Sequence, residues 1–293
     1  MNRPTLNIIG TGKLGSVMGA LLVDSGAATP GFLFNRTAAR AVAARDFIGQ
    51  GTATDRLDDL APADIWLIAT ADDAIAGMAE RLAVLQLPWR DTVVFHCSGI
   101  HSSGLLAPLA ARGATTASIH PAHSFADSEK SRRDFGGTWC TLEGDEIALN
   151  RLEPLVHRLH ARTLRIDAEY KTLYHAATAI ASNHLVAMIG GALELLEKAG
   201  IAPEIAKQLL TPLVTNSCKN LFADGATKAL TGPVARGDAN TVRLHMEALG
   251  AQQPALLPGY KAMTAQCLQL VSAANRNAGH ERIESLLDDS SQV

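Results

Sequence analysis

A glycine-rich loop near the start of the chain constrains the fold most strongly. Residues 10–15 read Gly-Thr-Gly-Lys-Leu-Gly and directly follow the apolar run at residues 6–9. In a strand–loop–helix unit, the first glycine permits a tight turn, the second admits a pyrophosphate, and the third lets the helix pack closely on the strand. The free N–H groups of the helix that follows also favour phosphate binding. The motif predicts a dinucleotide-binding loop, the alternative being a glycine-rich turn of another α/β fold. The candidate binding residues are Gly10, Thr11, Gly12, Lys13 and Leu14.

The end of the second predicted strand distinguishes NAD from NADP. An NAD site places Asp or Glu about 20 residues after the glycines, where it accepts hydrogen bonds from ribose hydroxyls. Here that position is Asn35, and Arg36, Thr37 and Arg40 follow it. Guanidinium groups and a hydroxyl suit a 2′-phosphate, which a carboxylate would repel. The pattern favours NADP; the alternative is that both arginines are ordinary solvated residues at a helix start.

Short apolar runs alternate with helical patterns over the first 167 residues. Strands of this kind are typical of a parallel sheet buried on both faces, and their alternation with helices indicates a doubly wound fold. After residue 167 only helical patterns remain. We therefore predict an α/β fold in which a doubly wound, mostly parallel Rossmann sheet over residues 1–167 precedes an all-α domain over residues 168–293. The predicted strands are residues 6–9, 32–34, 52–54, 65–69, 92–96, 116–120, 138–142 and 163–166.

Helical periodicity places helices between these strands and throughout the second domain. One long helix is expected to be broken or kinked at Pro212, because proline removes a helical hydrogen bond. The polar end at residues 288–293 is expected to fray. The predicted helices are residues 13–24, 37–46, 72–82, 102–110, 147–160, 170–199, 203–222, 240–249 and 254–274.

Composition narrows the class of protein. With 47% hydrophobic residues and a net charge of −3 over 293 residues, the chain is not expected to be disordered. No block of Lys or Arg supplies the basic face of a nucleic-acid-binding protein. Four scattered cysteines fit neither a disulfide framework nor a metal site. The most apolar stretch, residues 184–193, is too short to span a bilayer. We expect a cytoplasmic protein that binds no metal, nucleic acid or membrane.

Candidate site residues follow the predicted strands, because ligands of doubly wound sheets collect beyond the carboxyl ends of the strands. Thr70 and Ser98 come after the fourth and fifth strands and are predicted to face the cofactor. His120 ends the sixth strand and is a candidate catalytic residue on the substrate side. The alternative for His120 is a hydrogen-bonded structural histidine.

The first long helix of the second domain carries further candidates. At 100° per residue, Lys171, His175, Thr178 and Ser182 share one stripe, with Asn183 beside it. Lys171 and His175 suit an acid/base pair for a carbonyl or imine substrate. The alternative is that Lys171 lies in solvent and His175 bonds a neighbouring carbonyl.

A Thr-Gly-Pro turn at residues 231–233 precedes Arg236, with Asp238 or Asn240 placed to cap the next helix. Arg236 is a candidate to bind a substrate carboxylate. Equally, this segment could lock two helices together or pack across a dimer.

Six motifs in a fixed order carry a resemblance that spans nearly the whole chain. They are GTGKLG, FNRT, HCSG, IHPAHSF, YHAATAIASNH and ALTGPVARGD. The chain resembles bacterial Rossmann-like proteins with a C-terminal helical domain of unknown function. These proteins belong to the superfamily of 6-phosphogluconate, 3-hydroxyisobutyrate and ketopantoate dehydrogenases and pyrroline-5-carboxylate reductase.

The resemblance implies an NADP-binding domain, a helical domain that commonly dimerises, and an active site between the two. Hydroxyacid dehydrogenases of the superfamily carry a catalytic Lys with Asn four residues later. This chain departs from that pattern, because His175 stands four residues after Lys171 and the nearest asparagine is Asn183. Lys171 is therefore a candidate by position alone.

We hypothesise an NADP-dependent oxidoreductase that acts on a small, polar, carboxylated substrate and forms a homodimer through the helical domain. Lys171 or His175 exchanges the proton, Ser182 and Asn183 bind and orient the substrate, and Arg236 pairs with its carboxylate. The main rival is a non-catalytic NADP(H)-binding sensor or scaffold. A third hypothesis is reduction of a deazaflavin by NADPH.

Overall fold

A computed structural model of the chain describes residues 3–288, so the predicted fraying lies outside the described residues except at residue 288. The chain divides into two compact units, the first ending at Ser182 and the second beginning at Asn183. All described strands lie in the first unit, where the last one ends at Arg165. The boundary expected after residue 167 thus falls close to the end of the sheet. The division between the two compact units lies 15 residues later.

An eight-stranded sheet forms the centre of the first unit. The strand order is β3-β2-β1-β4-β5-β6-β7-β8, and every neighbouring pair is parallel except β6 and β7. The predicted doubly wound, mostly parallel sheet and helical C-terminal region are confirmed. The strands are β1 Thr5–Ile9, β2 Thr29–Phe34, β3 Thr52–Thr54, β4 Ile65–Ile68, β5 Val93–His96, β6 Thr115–Pro121, β7 Trp139–Gly144 and β8 Arg162–Arg165.

Helices cover both faces of this sheet, which explains the continuously apolar strands: β4 and β5 are buried at every position. One hydrophobic cluster contains Leu6 and Val156, and a second, on the other side, contains Ile9 and Leu109. Helix α5 was not predicted. The helices of this unit are α1 Lys13–Asp24, α2 Ala38–Ile48, α3 Ile75–Ala83, α4 Ala107–Ala110, α5 Ser128–Asp134, α6 Glu146–Arg158 and α7 Lys171–Ala179.

The strand order reverses at β1, which has β2 on one side and β4 on the other. A doubly wound sheet opens a crevice at such a reversal, beyond the carboxyl ends of its strands. The glycine loop follows β1 directly and so lies at the mouth of this crevice. The fold therefore gives the predicted phosphate loop the position that its chemistry requires.

The second unit is helical, with a small core of Val234, Val242, Leu268 and Ile283. Helix α9 runs without interruption through Pro212, so the alternative of a broken helix is wrong. Helix α14 was not predicted. The helices are α8 Leu185–Lys198, α9 Pro203–Asp224, α10 Ala226–Ala229, α11 Pro233–Arg236, α12 Ala239–Gln252, α13 Leu257–Leu270 and α14 Ala278–Asp288.

Helices α7 and α8 belong to one helical stretch, Ala168–Lys198, that contains a π-helical turn at Ile180–His184. Among residues 3–288 it is the one helix long and apolar enough to cross a membrane, with a mean hydropathy of 1.4 over its most apolar window. Only 6% of that window is buried. A core helix of a water-soluble protein can have the same length and composition. The expected absence of a membrane partner stays a prediction.

Candidate functional site

The glycine loop has the backbone of a phosphate cradle. Gly10 adopts a φ of +97°, and a Cβ there would lie 2.7 Å from the carbonyl of Ala69. A Cβ on Gly15 would collide with the Gly10 carbonyl oxygen, so this position keeps α1 close to the strand. A Cβ on Gly12 would meet nothing within 4 Å. The middle of the loop is therefore open, as a bound phosphate requires, while its two ends are closely packed.

The start of α1 leaves its positive end available to a ligand. Gly12 is the N-cap, with no side-chain cap and no acidic residue in the first turn. The Lys13 ammonium donates a 2.6 Å hydrogen bond to the Ala126 carbonyl. Lys13, like Leu14, would therefore contact a phosphate through its backbone N–H group. The Asn35 amide donates to Thr11 Oγ1 over 3.0 Å and thereby joins the loop to the end of β2. The first turn of α1 thus presents N–H groups and no competing anion.

Two cationic side chains stand uncompensated at the end of β2. Arg36 and Arg40 are exposed and make no ion pair within residues 3–288, and Thr37 between them is also exposed. Farther along α2, Arg45 forms a salt bridge with Asp46 at 2.7 Å. The described region beside the loop therefore keeps two guanidinium groups and a hydroxyl free for an anion.

Thr70 supplies an independent sign of a missing partner. Its Oγ1 is buried and has no hydrogen-bond partner in the described part of the chain. Its backbone nitrogen is 2.8 Å from the position that a Cβ on Gly10 would occupy, so Thr70 borders the glycine loop. A buried hydroxyl without a partner is costly unless a ligand or water completes it. The open cradle, this hydroxyl and the two free arginines fit a phosphorylated dinucleotide.

A row of polar side chains lies on one face of the sheet at the carboxyl end of β6. Ser118 and His120 are two residues apart and so share a face. Across the antiparallel ladder, Ser118 pairs with Glu143, and His120 pairs with Thr141. Helix α7 places Lys171 and Tyr174 over this row, against Ser118 and His120 respectively.

Lys171 is buried rather than solvated, with 1% of its surface exposed. Its ammonium donates to the Ser98 carbonyl over 3.2 Å and makes a short hydrogen bond to the Ser118 hydroxyl. Burial lowers the pKa of Lys171, an effect opposed by the nearby Glu143 carboxylate. The alternative of Lys171 in solvent is therefore wrong. These bonds fasten the start of α7 to the ends of β5 and β6; a catalytic role stays a prediction.

Two imidazoles meet beside Gly99, just after β5. The ring centroids of His120 and His175 are 5.7 Å apart at nearly a right angle. A Cβ at residue 99 would come within 2.9 Å of His120 Nε2 and closer still to His175 Cδ2. Both rings are half-buried, and no ring nitrogen of His175 has a hydrogen-bond partner among the described residues. The absence of a side chain at Gly99 is what admits both rings.

The turn that carries Gly99 is built by His96. His96 Nδ1 accepts from the Ser98 N–H over 3.1 Å, so Nε2 carries the proton and donates to the Ser102 carbonyl over 3.0 Å. Burial lowers the pKa of His96 to about 4. The Ser98 hydroxyl accepts from the His101 N–H and retains its own proton as a donor. His96 is thus a neutral structural residue. Ser98 stays a predicted cofactor contact.

The remaining predicted residues follow the π-helical turn or lie in the second unit. The π turn begins at Ile180 and changes the spacing of the helix, so the stripe that would include Ser182 ends before that residue. Ser182 and Asn183 are exposed, and Asn183 is the first residue of the second unit. Arg236 is exposed at the end of α11, and Asp238 caps α12 through Thr241. Their substrate roles stay predictions.

Sequence reasoning missed three polar residues beside Ser118 and His120. Tyr174 bonds to His120, while Thr141 and Glu143 lie opposite His120 and Ser118 in the sheet, and none of the three was a candidate. The alternation of Thr141 and Glu143 with apolar residues in this strand is a period-two signal that could have revealed a polar row on one sheet face. No group of three His, Cys, Asp or Glu side chains within residues 3–288 could hold a metal ion. The four cysteines are free.

Comparison with protein families gives the chain two parts. Residues 1–121 match the Rossmann-like domain, and residues 138–267 match DUF2520, a domain of unknown function. This confirms the resemblance carried by the six motifs. No curated protein is significantly similar to the chain.

Solved structures share the fold over nearly the full length. BF3122 from Bacteroides fragilis has a TM-score of 0.76 at 19% identity, covering 91% of this chain and 98% of its own. TM1727 from Thermotoga maritima has a TM-score of 0.69 at 26% identity, covering 92% and 100%. A reductive aminase from Aspergillus terreus, solved with NADPH and ethyl levulinate, has a TM-score of 0.65 at 17% identity, covering 97% and 99%.

Proposed function

We propose that this protein is an NADP-dependent oxidoreductase that acts on a small, polar carbonyl or imine compound bearing a carboxylate. The observation that carries the proposal is the pair of free guanidinium groups, Arg36 and Arg40, beside an open glycine cradle. A site of this charge suits an adenosine 2′-phosphate better than the hydroxyls of NAD. Similarity of fold to a reductase solved with NADPH supports the proposal.

Different groups of the chain would bind different parts of the dinucleotide. The N–H groups of the loop at Gly10–Gly15 would hold the pyrophosphate, and Arg36, Thr37 and Arg40 the 2′-phosphate. The Thr70 hydroxyl would gain the partner that it lacks. When bound, the nicotinamide supplies the hydride chemistry.

We assign proton exchange with the substrate to the basic residues near the carboxyl ends of β5 and β6. The half-buried imidazole of His175, whose ring nitrogens have no described partner, suits proton exchange with the substrate heteroatom. Lys171, with a pKa lowered by burial, is the second candidate and supports the same site through Ser98 and Ser118. Ser182, Asn183 and Arg236 are proposed to bind the substrate and its carboxylate.

Calorimetry with NADPH and NADH tests the cofactor. We expect NADPH to bind at least 10-fold more tightly than NADH. Replacing Arg36 or Arg40 by Gln should weaken NADPH binding by about 10- to 100-fold and leave NADH unchanged, because each removes a charge-assisted bond of about 1.5–3 kcal/mol. Arg45→Gln on the same helix is the control, since Arg45 already pairs with Asp46.

Equal affinity for the two nucleotides, or no binding of either, would refute the NADP assignment. Turnover is then measured with NADPH and a panel of 2-oxo acids, cyclic imines, aldehydes and a deazaflavin. Tight NADPH binding without turnover of any panel member would favour a non-catalytic sensor. Reduction of the deazaflavin alone would replace the small carboxylated substrate by a second cofactor.

A further inference from the structure

The hydrogen bond between His120 and Tyr174 occupies one of the two ring nitrogens of His120. His120 Nδ1 and the Tyr174 hydroxyl oxygen are 2.9 Å apart, and the two rings meet edge to face with centroids 5.5 Å apart. Both side chains are half-buried in the first unit. One ring nitrogen of His120 is therefore committed to the phenol, and Nε2 alone is left for any other group.

The direction of this hydrogen bond follows from the acidity of the two groups that it joins. Thr141 lies opposite His120 in the sheet, and its side chain lowers the pKa of the Tyr174 phenol. Burial has the larger effect and raises the pKa of Tyr174, so the phenol keeps its proton at neutral pH. A phenol O–H is more acidic than a neutral imidazole N–H, and the imidazole nitrogen is the stronger base, so the phenol is the donor to His120 Nδ1.

A neutral imidazole whose Nδ1 accepts a hydrogen bond carries its proton on Nε2. His120 is neutral at pH 7, because burial and then the charges of His175 and Lys171 lower its pKa to about 4. Its Nε2 borders the space above Gly99, on the side where His175 also lies. The Nε2–H group is thus a fixed, uncharged donor beyond the carboxyl end of β5.

We propose that Tyr174 is a positioning residue that holds His120 in the Nε2–H tautomer, so that His120 donates a hydrogen bond to the oxygen or nitrogen of the substrate. This inference rests on the proposed function and extends it. Negative charge develops on that heteroatom when the adjacent carbon is reduced, and a preoriented donor stabilises it. His120 transfers no proton in this role, so proton exchange remains with His175 or Lys171.

Nitrogen NMR of the histidine rings tests the tautomer without substrate or cofactor. In the wild-type protein we expect His120 to show a protonated Nε2 and an unprotonated Nδ1, with its signals identified by their loss in His120→Gln. In Tyr174→Phe, the two tautomers should mix or reverse. Tyr170→Phe is the matched control, since Tyr170 is an exposed tyrosine four residues earlier. It should leave the signals unchanged.

An Nδ1–H tautomer in the wild-type protein would overturn the inference, and so would unchanged His120 signals in Tyr174→Phe. The wild-type measurement decides the matter even if the variant folds poorly. Once a substrate is found, Tyr174→Phe should lower kcat about 10- to 100-fold and leave the NADPH affinity unchanged, as loss of a supporting hydrogen bond does. Failure of the proposed function would appear separately, as absence of NADPH binding by the wild-type protein.

Discussion

Burial sets the protonation of the basic side chains near the carboxyl ends of β5 and β6. His96 and His120 each have a pKa of about 4, which burial lowers in both cases, so both are neutral imidazoles at pH 7. A neutral imidazole has one donor and one acceptor, and its neighbours decide which nitrogen is which. The Ser98 N–H donates to Nδ1 of His96 and so leaves the proton of that ring on Nε2. We infer that the Tyr174 hydroxyl has the same effect on His120.

The lowered pKa of His96 predicts acid-sensitive stability. Because the unfolded chain binds a proton near pH 6.5 and the folded chain only near pH 4, His96 contributes stability above pH 6.5 that is lost as pH falls through about 4. The full effect is about 3 kcal/mol. His96→Leu should destabilise the protein at pH 7 by roughly 2 kcal/mol, since it leaves the Ser98 N–H and the Ser102 carbonyl without partners.

Urea denaturation at pH 7 and pH 4.5 measures this difference. The difference in unfolding free energy between wild type and His96→Leu should be smaller at pH 4.5, because only the wild-type chain loses the contribution of His96. His184→Leu, at an exposed histidine, is the control and should follow the wild-type pH dependence. A constant gap at both values would contradict the assignment of His96 as a buried neutral residue.

At the scale of elements, the segment formed by β1, the glycine loop and α1 uses different glycines for folding and for the proposed ligand binding. Gly15 faces the Gly10 carbonyl at a distance that excludes any side chain, whereas Gly12 faces open space. Gly12 has an extended backbone that any residue adopts, with φ at −74°. One glycine therefore serves helix–strand packing, and the other leaves room for what binds.

This difference predicts opposite effects of the same substitution. Gly15→Ala should lower the Tm clearly, because its Cβ would displace the Gly10 carbonyl or lift α1 from the sheet. Gly12→Ala should leave the Tm nearly unchanged and weaken NADPH binding by 10-fold or more (about 1.4 kcal/mol), since the methyl group enters the space proposed for the pyrophosphate. Thermal unfolding and calorimetry on both variants provide the comparison. Unaltered NADPH affinity in Gly12→Ala would place the ligand elsewhere.

At the scale of the whole molecule, the second unit leaves a large amount of apolar surface uncovered. Val186 on α8 is 72% exposed, and on α9 Leu213 is 59% and Phe222 87% exposed. Exposed apolar surface in this amount is typical of an interaction site. We propose that a second copy of the chain covers it, in line with the dimerisation that the family resemblance implies.

Light scattering after gel filtration tests the assembly. We expect a particle of about twice the 30.9 kDa chain mass. Leu209 is a second exposed leucine on α9, four residues before Leu213. The double variant Leu209→Lys, Leu213→Lys should shift the particle towards the monomer, because two charges at a dimer interface lose hydration without gaining partners. Val84→Lys is the control, at a 71% exposed position in the first unit. A monomeric wild-type protein would contradict the dimer, and recovery in the membrane fraction would assign the apolar helix Ala168–Lys198 to a bilayer.

Local patterns were sufficient for most of the fold and for the choice of candidate residues at the proposed cofactor end of the site. All eight strands were predicted to within a few residues. Apolar runs indicated central strands such as β4 and β5, because a strand buried on both faces must be apolar at every position. The glycine spacing and the arginines after β2 are also local, since the loop and strand end that present them are short and continuous. The antiparallel placement of β7 and the uninterrupted helix through Pro212 were not predictable in this way.

Tertiary structure alone decided the chemistry at the ends of β5 and β6. Lys171 was expected at a helix edge or in a site, and its burial against Ser98 and Ser118 depends on contacts more than 50 residues apart in the chain. The bond between His120 and Tyr174 likewise joins residues 54 positions apart. Periodicity tells which face of an element is apolar, but it carries no information on which distant polar groups will meet. Hydrogen-bond partners, and with them tautomers and pKa values, are fixed only when the helix docks on the sheet.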